Sequence, residues 1–144
     1  MKKTLYAFCA LLLCVALGAV LVACDDADTP TSQRYTYESL TIEPNDSISQ
    51  AVAEAASAMF EGSEAYFEGG QFCWSLDNGS GITRYDYTVE EDGRYRMAYS
   101  DSLSSVFGEA DMYVTFDETS LTIIAIYGES GENSLTYYYN FIAA

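Results

Sequence analysis

Carboxylates are the commonest reactive groups in this chain. Asp and Glu number 22, Lys and Arg together six, and His is absent. Without imidazole, Ser-His-Asp triads and most zinc ligand sets have no base or ligand to draw on. Carboxylate-based glycoside hydrolysis is what remains, and it needs two carboxyl groups facing each other across a cleft, roughly 5 to 10 Å apart. The densest acidic run is Glu90-Glu91-Asp92, followed by Gly93. At a hairpin tip such groups are solvated and have little reason to hold a proton near neutrality. Asp77-Asn78-Gly79-Ser80-Gly81 has the composition of a calcium loop but lacks its alternating acids and distant bidentate Glu, so it reads as a turn. Cys73, between Phe72 and Trp74, has no His to activate it and reads as a small strand residue with an inert thiol. No catalytic set, metal site or cofactor motif is expected.

The one cysteine whose setting points to a specific chemistry is Cys24. Met1-Lys2-Lys3 opens the chain with positive charge, and Thr4 to Ala23 carries no charged side chain. That is the layout of a secretory signal peptide. An uncleaved membrane helix is the competing reading, for which the apolar run is near the lower length limit. The run ends in Leu21-Val22-Ala23-Cys24 and turns polar at once. This resembles the lipobox of bacterial lipoproteins. The resemblance implies acylation of the Cys24 thiol, cleavage before it, and attachment to the membrane through more than one acyl chain, palmitate among them, which one chain alone would not secure. Cys9 and Cys14 would leave with the signal peptide, so Cys73 has no disulfide partner. In double-membrane bacteria, Asp25 directly after the lipidated residue implies retention at the plasma membrane.

Everything acidic lies after Cys24, where Arg34, Arg84, Arg94 and Arg96 are the only cations. Such a balance repels nucleic acid and anionic headgroups and attracts cations. The many aromatic residues between the charges argue for a folded domain. Residues 1-23 are expected to be the signal peptide, 24-33 a flexible tether containing Pro30, and 34-144 one domain.

The elements follow from periodicity. Arg34 to Ile42 is rich in strand formers. Ser47-Ile48-Ser49-Gln50 fits a capping box with Ser47 as N-cap. Ile48, Val52, Ala55, Ala56, Met59 and Phe60 then recur at helical spacing, which predicts one amphipathic helix packing that stripe onto a sheet. From Glu64 onward the period is two. Gly69-Gly70, Asp77 to Gly81, Glu90 to Gly93 and Asp117 to Ser120 are turn signals between strands. Eight short strands with hairpins between them predict a mainly β fold, an antiparallel up-and-down meander or a small eight-stranded barrel.

Alternation puts Phe72, Trp74, Leu76, Tyr85, Tyr87, Val89, Tyr95, Met97, Tyr99, Met112, Val114, Phe116, Leu121, Ile123, Ala125, Tyr127, Leu135, Tyr137, Tyr139 and Phe141 inside. Four residues break the pattern: Ile124, Ile126, Tyr138 and Ile142 point to the outer side. Either the helix covers them or a partner does, which makes them the candidate contact surface.

A strand, one helix and then a run of hairpins, with turns such as Glu68-Gly69-Gly70 and Glu91-Asp92-Gly93, resembles the small lipocalin-like domains of bacterial lipoproteins over roughly Arg34 to Ile142. The resemblance implies an eight-stranded barrel with a helix near one end and no transferable catalytic residues. The Gly-x-Trp motif of classical lipocalins is missing near the first strand. The inward list is dominated by Tyr, Phe and Trp, which fill an eight-stranded barrel. The function expected is that of a membrane-anchored extracytoplasmic lipoprotein, a non-enzymatic binding or accessory module whose partner is an envelope protein or glycan. A carboxylate-based glycan hydrolase and a carrier of a small apolar ligand are the alternatives.

Overall fold

Each turn signal in the sequence sits between two alternating runs, and in the structure those runs pair. The computed structural model describes residues 30, 32–75, 81–98, 107–128 and 134–144. Its strands are β1 (Arg34–Glu43), β2 (Glu64–Glu68), β3 (Gln71–Ser75), β4 (Ile82–Tyr85), β5 (Tyr87–Val89), β6 (Tyr95–Met97), β7 (Asp111–Phe116), β8 (Ser120–Tyr127) and β9 (Leu135–Ala143), with helix α1 (Ser47–Ser57) between β1 and β2. The expected domain begins at β1. The signal segment, Cys24 and all of the tether except Pro30, Ser32 and Gln33 lie outside the described residues.

All strand neighbours are antiparallel, in the order β4-β3-β2-β1-β9-β8-β7-β6-β5. The two outermost strands, β4 and β5, are consecutive in the chain and separated only by Asp86. One kinked run therefore joins both ends of the sheet, and the result is a nearly closed barrel. The sequence predicts Ile82 to Val89 as one strand, and the structure divides it. Its first half pairs with β3 through Phe72↔Tyr85, and its second half pairs with β6 through Tyr87↔Met97. A run serving two diverging neighbours must bend between them, and at the bend the Asp86 carbonyl still accepts from the Ala98 N–H at 2.8 Å.

Gly69 and Gly70 connect β2 and β3 with φ of 61° and 77°. Positive φ at both central residues is what a two-residue hairpin turn with the right twist requires, and side chains rarely adopt it. A second irregularity sets the register of β1. Between Tyr37 and Ser39 its pairing with β9 slips by one residue at Glu38. This bulge lets Tyr35, Tyr37, Leu40 and Ile42 all serve the core although their spacing is not strictly alternating.

The interior is aromatic. Trp74, Phe72, Phe141, Met112, Leu121, Ile123 and Val114 are fully buried, with Tyr139, Tyr85, Met97 and Phe67 nearly so. The inward face is as expected except at strand ends, where Val89 and Leu135 are exposed because the ladder gives out around them. Leu76 and Tyr99 lie outside the described residues. Around Trp74 the rings of Phe107, Tyr139, Phe60 and Phe141 stand at 5.1, 5.4, 5.9 and 6.1 Å. Around Phe67 those of Phe116, Tyr95, Phe72 and Tyr87 stand at 5.0 to 5.4 Å. Each such side chain contributes on the order of 1.5–3 kcal/mol by burial, with ring–ring geometry adding up to about 1.5 kcal/mol per pair.

The helix differs from expectation in two respects. Its N-cap is Asp46, whose Oδ1 accepts from the Ser49 N–H at 2.8 Å, and not Ser47. Gln50, expected to complete a capping box, donates to Asn45 Oδ1 instead. The helix is also rotated. Ser49 and Ala53 are its buried residues, whereas Ile48, Val52 and Met59 are 74%, 43% and 74% exposed. The helix lies against β1, and small residues allow the close approach. Of the predicted stripe, Ala56 packs partly on the core and Phe60, in the turn after the helix, enters it fully.

Candidate functional site

The four outward residues of β8 and β9 belong to a face built across β7, β8, β9 and β1. Its rungs are set by the strand register. Thr115, Thr122, Asn140 and Ser39 form one, Tyr113, Ile124, Tyr138 and Thr41 the next, and Asp111, Ile126, Thr136 and Glu43 the third. Ile124 and Tyr138 are thus direct cross-strand partners, and Ile126 lies one rung away. Ile142 stands two rungs from Tyr138 in the other direction, beside Ser120 and Thr36, and is 47% exposed. Helix α1 packs along β1 and is not the cover for these residues.

Polar side chains hold the face in place. Thr122 Oγ1 donates to Asn140 Oδ1 at 3.2 Å, and Asn140 Nδ2 donates to Ser39 Oγ at 3.3 Å. Tyr138 Oη donates to Glu43 Oε2 at 3.1 Å. Burial, helped by that carboxylate, pushes the Tyr138 hydroxyl above its ordinary pKa, so it stays a donor at neutral pH. Between the rungs is a shallow depression of about 400 Å³ lined by Thr41, Glu43, Thr115, Thr122, Ile124, Tyr138 and Asn140. Hydroxyls, one amide, one carboxylate, one ring and one aliphatic side chain suit the contact of a polar surface with a small apolar centre.

In three surface depressions formed by the described residues the acids do not gather for catalysis. The 400 Å³ depression holds Glu43 alone. A second, of about 520 Å³ between the helix and β1, holds Glu54, and a third of about 230 Å³ holds Asp111, already paired with Arg96 at 2.8 Å. Glu91 and Asp92 are exposed at the β5–β6 hairpin, as a solvated turn should be. The Arg94 N–H, with the Arg94 side chain, holds the Asp92 carboxyl below the usual range, opposite to what a general acid needs. Among the described residues no cluster of His, Cys, Asp and Glu is arranged to hold a metal ion. The residues 77–80 of the candidate calcium loop lie outside them.

Cys73 faces the outer side of β3 yet is fully buried, under Arg84, whose Nη1 donates to Sγ at 3.3 Å. Burial pushes its thiol pKa up, which lowers the thiolate fraction. All four arginines after Cys24 are engaged in ion pairs, Arg34–Glu64, Arg84–Glu68, Arg94–Asp92 and Arg96–Asp111. Three also lie over tyrosine rings, Arg34 at 4.1 Å from Tyr66, and Arg94 and Arg96 at 4.2 and 5.9 Å from Tyr113. The few cations are spent locally, so the surface field is that of the remaining acids.

Sequence reasoning missed two features. Phe107 stacks on Trp74 inside the barrel, and no periodic signal surrounds it. Four of the six residues of the predicted apolar stripe, Ile48, Val52, Ala55 and Met59, face outward, which hydrophobic spacing alone reads the wrong way round. No described helix is long and apolar enough to cross a membrane. No protein family, curated protein or solved structure matches the chain.

Proposed function

We propose that this chain is an extracytoplasmic lipoprotein, held on the cell membrane by lipid on Cys24, whose barrel is a non-enzymatic binding or accessory module of the envelope. The observation that carries the binding reading is the filled interior. With Trp74, Phe72, Phe141 and Met112 fully buried against one another, contact with other molecules falls to the outer surface. The anchor rests on the sequence pattern Leu21-Val22-Ala23-Cys24, and the partner is an envelope protein or glycan that meets the face of Ile124, Ile126, Tyr138 and Ile142. The scarcity of paired carboxylates in the depressions supports binding over glycan hydrolysis, and the aromatic packing supports it over carriage of a small apolar ligand.

The test is cross-linking on intact cells followed by purification of the anchored protein. Ile142→Asp and Tyr138→Ala variants that still fractionate with membranes should lose the partners that the unaltered protein retains. Recovery of the same set by both variants removes this face from the function.

A further inference from the structure

We propose that the outward ridge of α1 (Ile48, Val52 and Ala55), continued by Met59 in the turn after it, is a docking site for a positively charged amphipathic helix of a partner protein. This goes beyond the sheet face above, rests on different residues, and does not depend on the lipid anchor.

The ridge is apolar along its whole length. Ile48 and Met59 are 74% exposed and Val52 43%, and Ala51, Ala55 and Ala58 beside them are exposed as well. Isolated exposed apolar residues are ordinary, but a contiguous strip marks an interaction surface. Within the helix the spacing 48, 52, 55 is four and three residues, the a/d spacing of a coiled-coil seam, and exposed Met59 extends the apolar strip from the turn that follows. The opposite side of the helix is already used. Ser49 and Ala53 are buried, Ser57 Oγ bonds Tyr37 Oη at 2.7 Å, and Phe60 fixes the following turn in the core. The helix therefore cannot turn its ridge inward without giving up those contacts. A helix that grips the barrel with small residues and displays its large ones is arranged to meet another helix.

Charge selects the occupant. From Tyr35 to Thr83 the sequence has no Lys or Arg, whereas Asp46, Glu54 and Glu61 lie on or beside the helix. Its last turn has no basic residue, so the negative end of its dipole is uncompensated. Glu54 is exposed and lines the groove between helix and β1, which adds negative charge beside the helix. A second copy would bring the same negative charge, on a chain of net charge −16. A bilayer surface is held by helices carrying Lys or Arg on the polar face, which this one lacks. Apolar seam and acidic surroundings together fit a basic amphipathic helix.

The probe is a synthetic helical peptide of Leu and Lys at coiled-coil spacing, labelled for anisotropy and titrated into the detergent-solubilised full chain. A Leu/Glu peptide of the same pattern is the charge control. Ile48→Asp and Met59→Asp should each weaken binding of the Leu/Lys peptide at least about tenfold, as placing a charge in an apolar contact does, with far-UV circular dichroism and Trp74 emission unchanged. Val89→Asp, at an exposed apolar residue in the sheet, should leave the affinity unaltered. The proposal is overturned if the two ridge variants bind like the unaltered chain, if Val89→Asp weakens binding as much as they do, or if the Leu/Glu peptide binds equally well. It is also overturned if sedimentation shows a dimer that Ile48→Asp disperses, or if phosphatidylcholine vesicles bind the ridge in place of the peptide.

Discussion

The ring of Phe60 stacks 5.9 Å from that of Trp74, at an interplanar angle of 23°. Phe60 comes from the turn after α1, and Trp74 from β3. The contact therefore pins the C-terminal end of the helix to the barrel interior, where the same ring also meets Tyr139 at 5.0 Å and Tyr37 at 5.8 Å. The helix itself buries little more than Ser49 and Ala53.

Phe60→Ala should therefore loosen the helix as well as the core. A buried aromatic truncated to Ala costs about 3–5 kcal/mol. Urea unfolding should show that loss, with Trp74 emission shifted to the red because one of its ring neighbours is gone. A variant as stable as the unaltered protein would mean that the helix is held by its other contacts.

Trp74 also reports on the interior. It is the only Trp, is fully buried, and its Nε1 has no hydrogen-bond partner in the structure. Its emission should be blue-shifted in the folded protein and indifferent to apolar probes. Saturable quenching by a fatty acid would restore the carrier reading. Replacing the indole by Phe removes an unsatisfied donor along with some packing, so Trp74→Phe should cost clearly less than Trp74→Ala, which belongs near 3–5 kcal/mol.

The strands were legible in the sequence because one face of each had to be apolar and the other solvated, which writes a period of two. Ile124 and Tyr138 stood out as exceptions to that period, and the register makes them neighbours. Their surroundings were not legible. Thr41 and Ser39 join the face only because the first and last strands pair, a contact about a hundred residues apart in the chain, and because Glu38 bulges. The helix misled for a different reason. Its hydrophobic stripe was real, but close approach to β1 favours Ser49 and Ala53, and Phe60 supplies the deep contact from outside the helix. Asp46 and Ser47 are both good caps, and only the bond to the Ser49 N–H separates them.

The β7–β8 turn should be acid-sensitive. Asp117 Oδ1 accepts from the Thr119 and Ser120 N–H groups at 2.7 and 2.8 Å, and from both hydroxyls. The Thr119 N–H and hydroxyl, followed by the Ser120 N–H, lower its pKa from 3.8 to about 2. A pKa depressed in the folded state stabilises above the unfolded value and is lost as pH falls through the folded one. The contribution should thus be complete above about pH 4 and fade toward pH 2. Comparing urea midpoints of the unaltered protein and Asp117→Asn across that range isolates it from Asp46 and Asp92, whose carboxyls are also held low. Parallel pH profiles for the two proteins would contradict the assignment.

Cys73 should react slowly in the native state. It is fully buried, its thiol is pushed up by burial, and Arg84 lies against its sulfur. A thiol reagent should modify it only on unfolding, so the labelling rate should rise steeply across the urea transition. Labelling in native buffer at the rate of a free thiol would show that the cover over β3 opens readily.

The anchor is tested by Cys24→Ala. On the lipoprotein reading proposed above, the Cys24 thiol is the acceptor for lipid, and the chain is cleaved before it. Cys9 and Cys14 lie inside the segment to be removed and Cys73 is buried in the barrel, so no other thiol can substitute. The variant should therefore fail to incorporate labelled fatty acid. It should also lose the detergent partitioning that lipid confers. The barrel begins at Arg34 and makes its core from later residues, so its Trp74 emission should not change. That separates loss of the anchor from loss of the fold. A variant that still takes up fatty acid, or partitions unchanged as a cleaved chain, would remove Cys24 from the anchor.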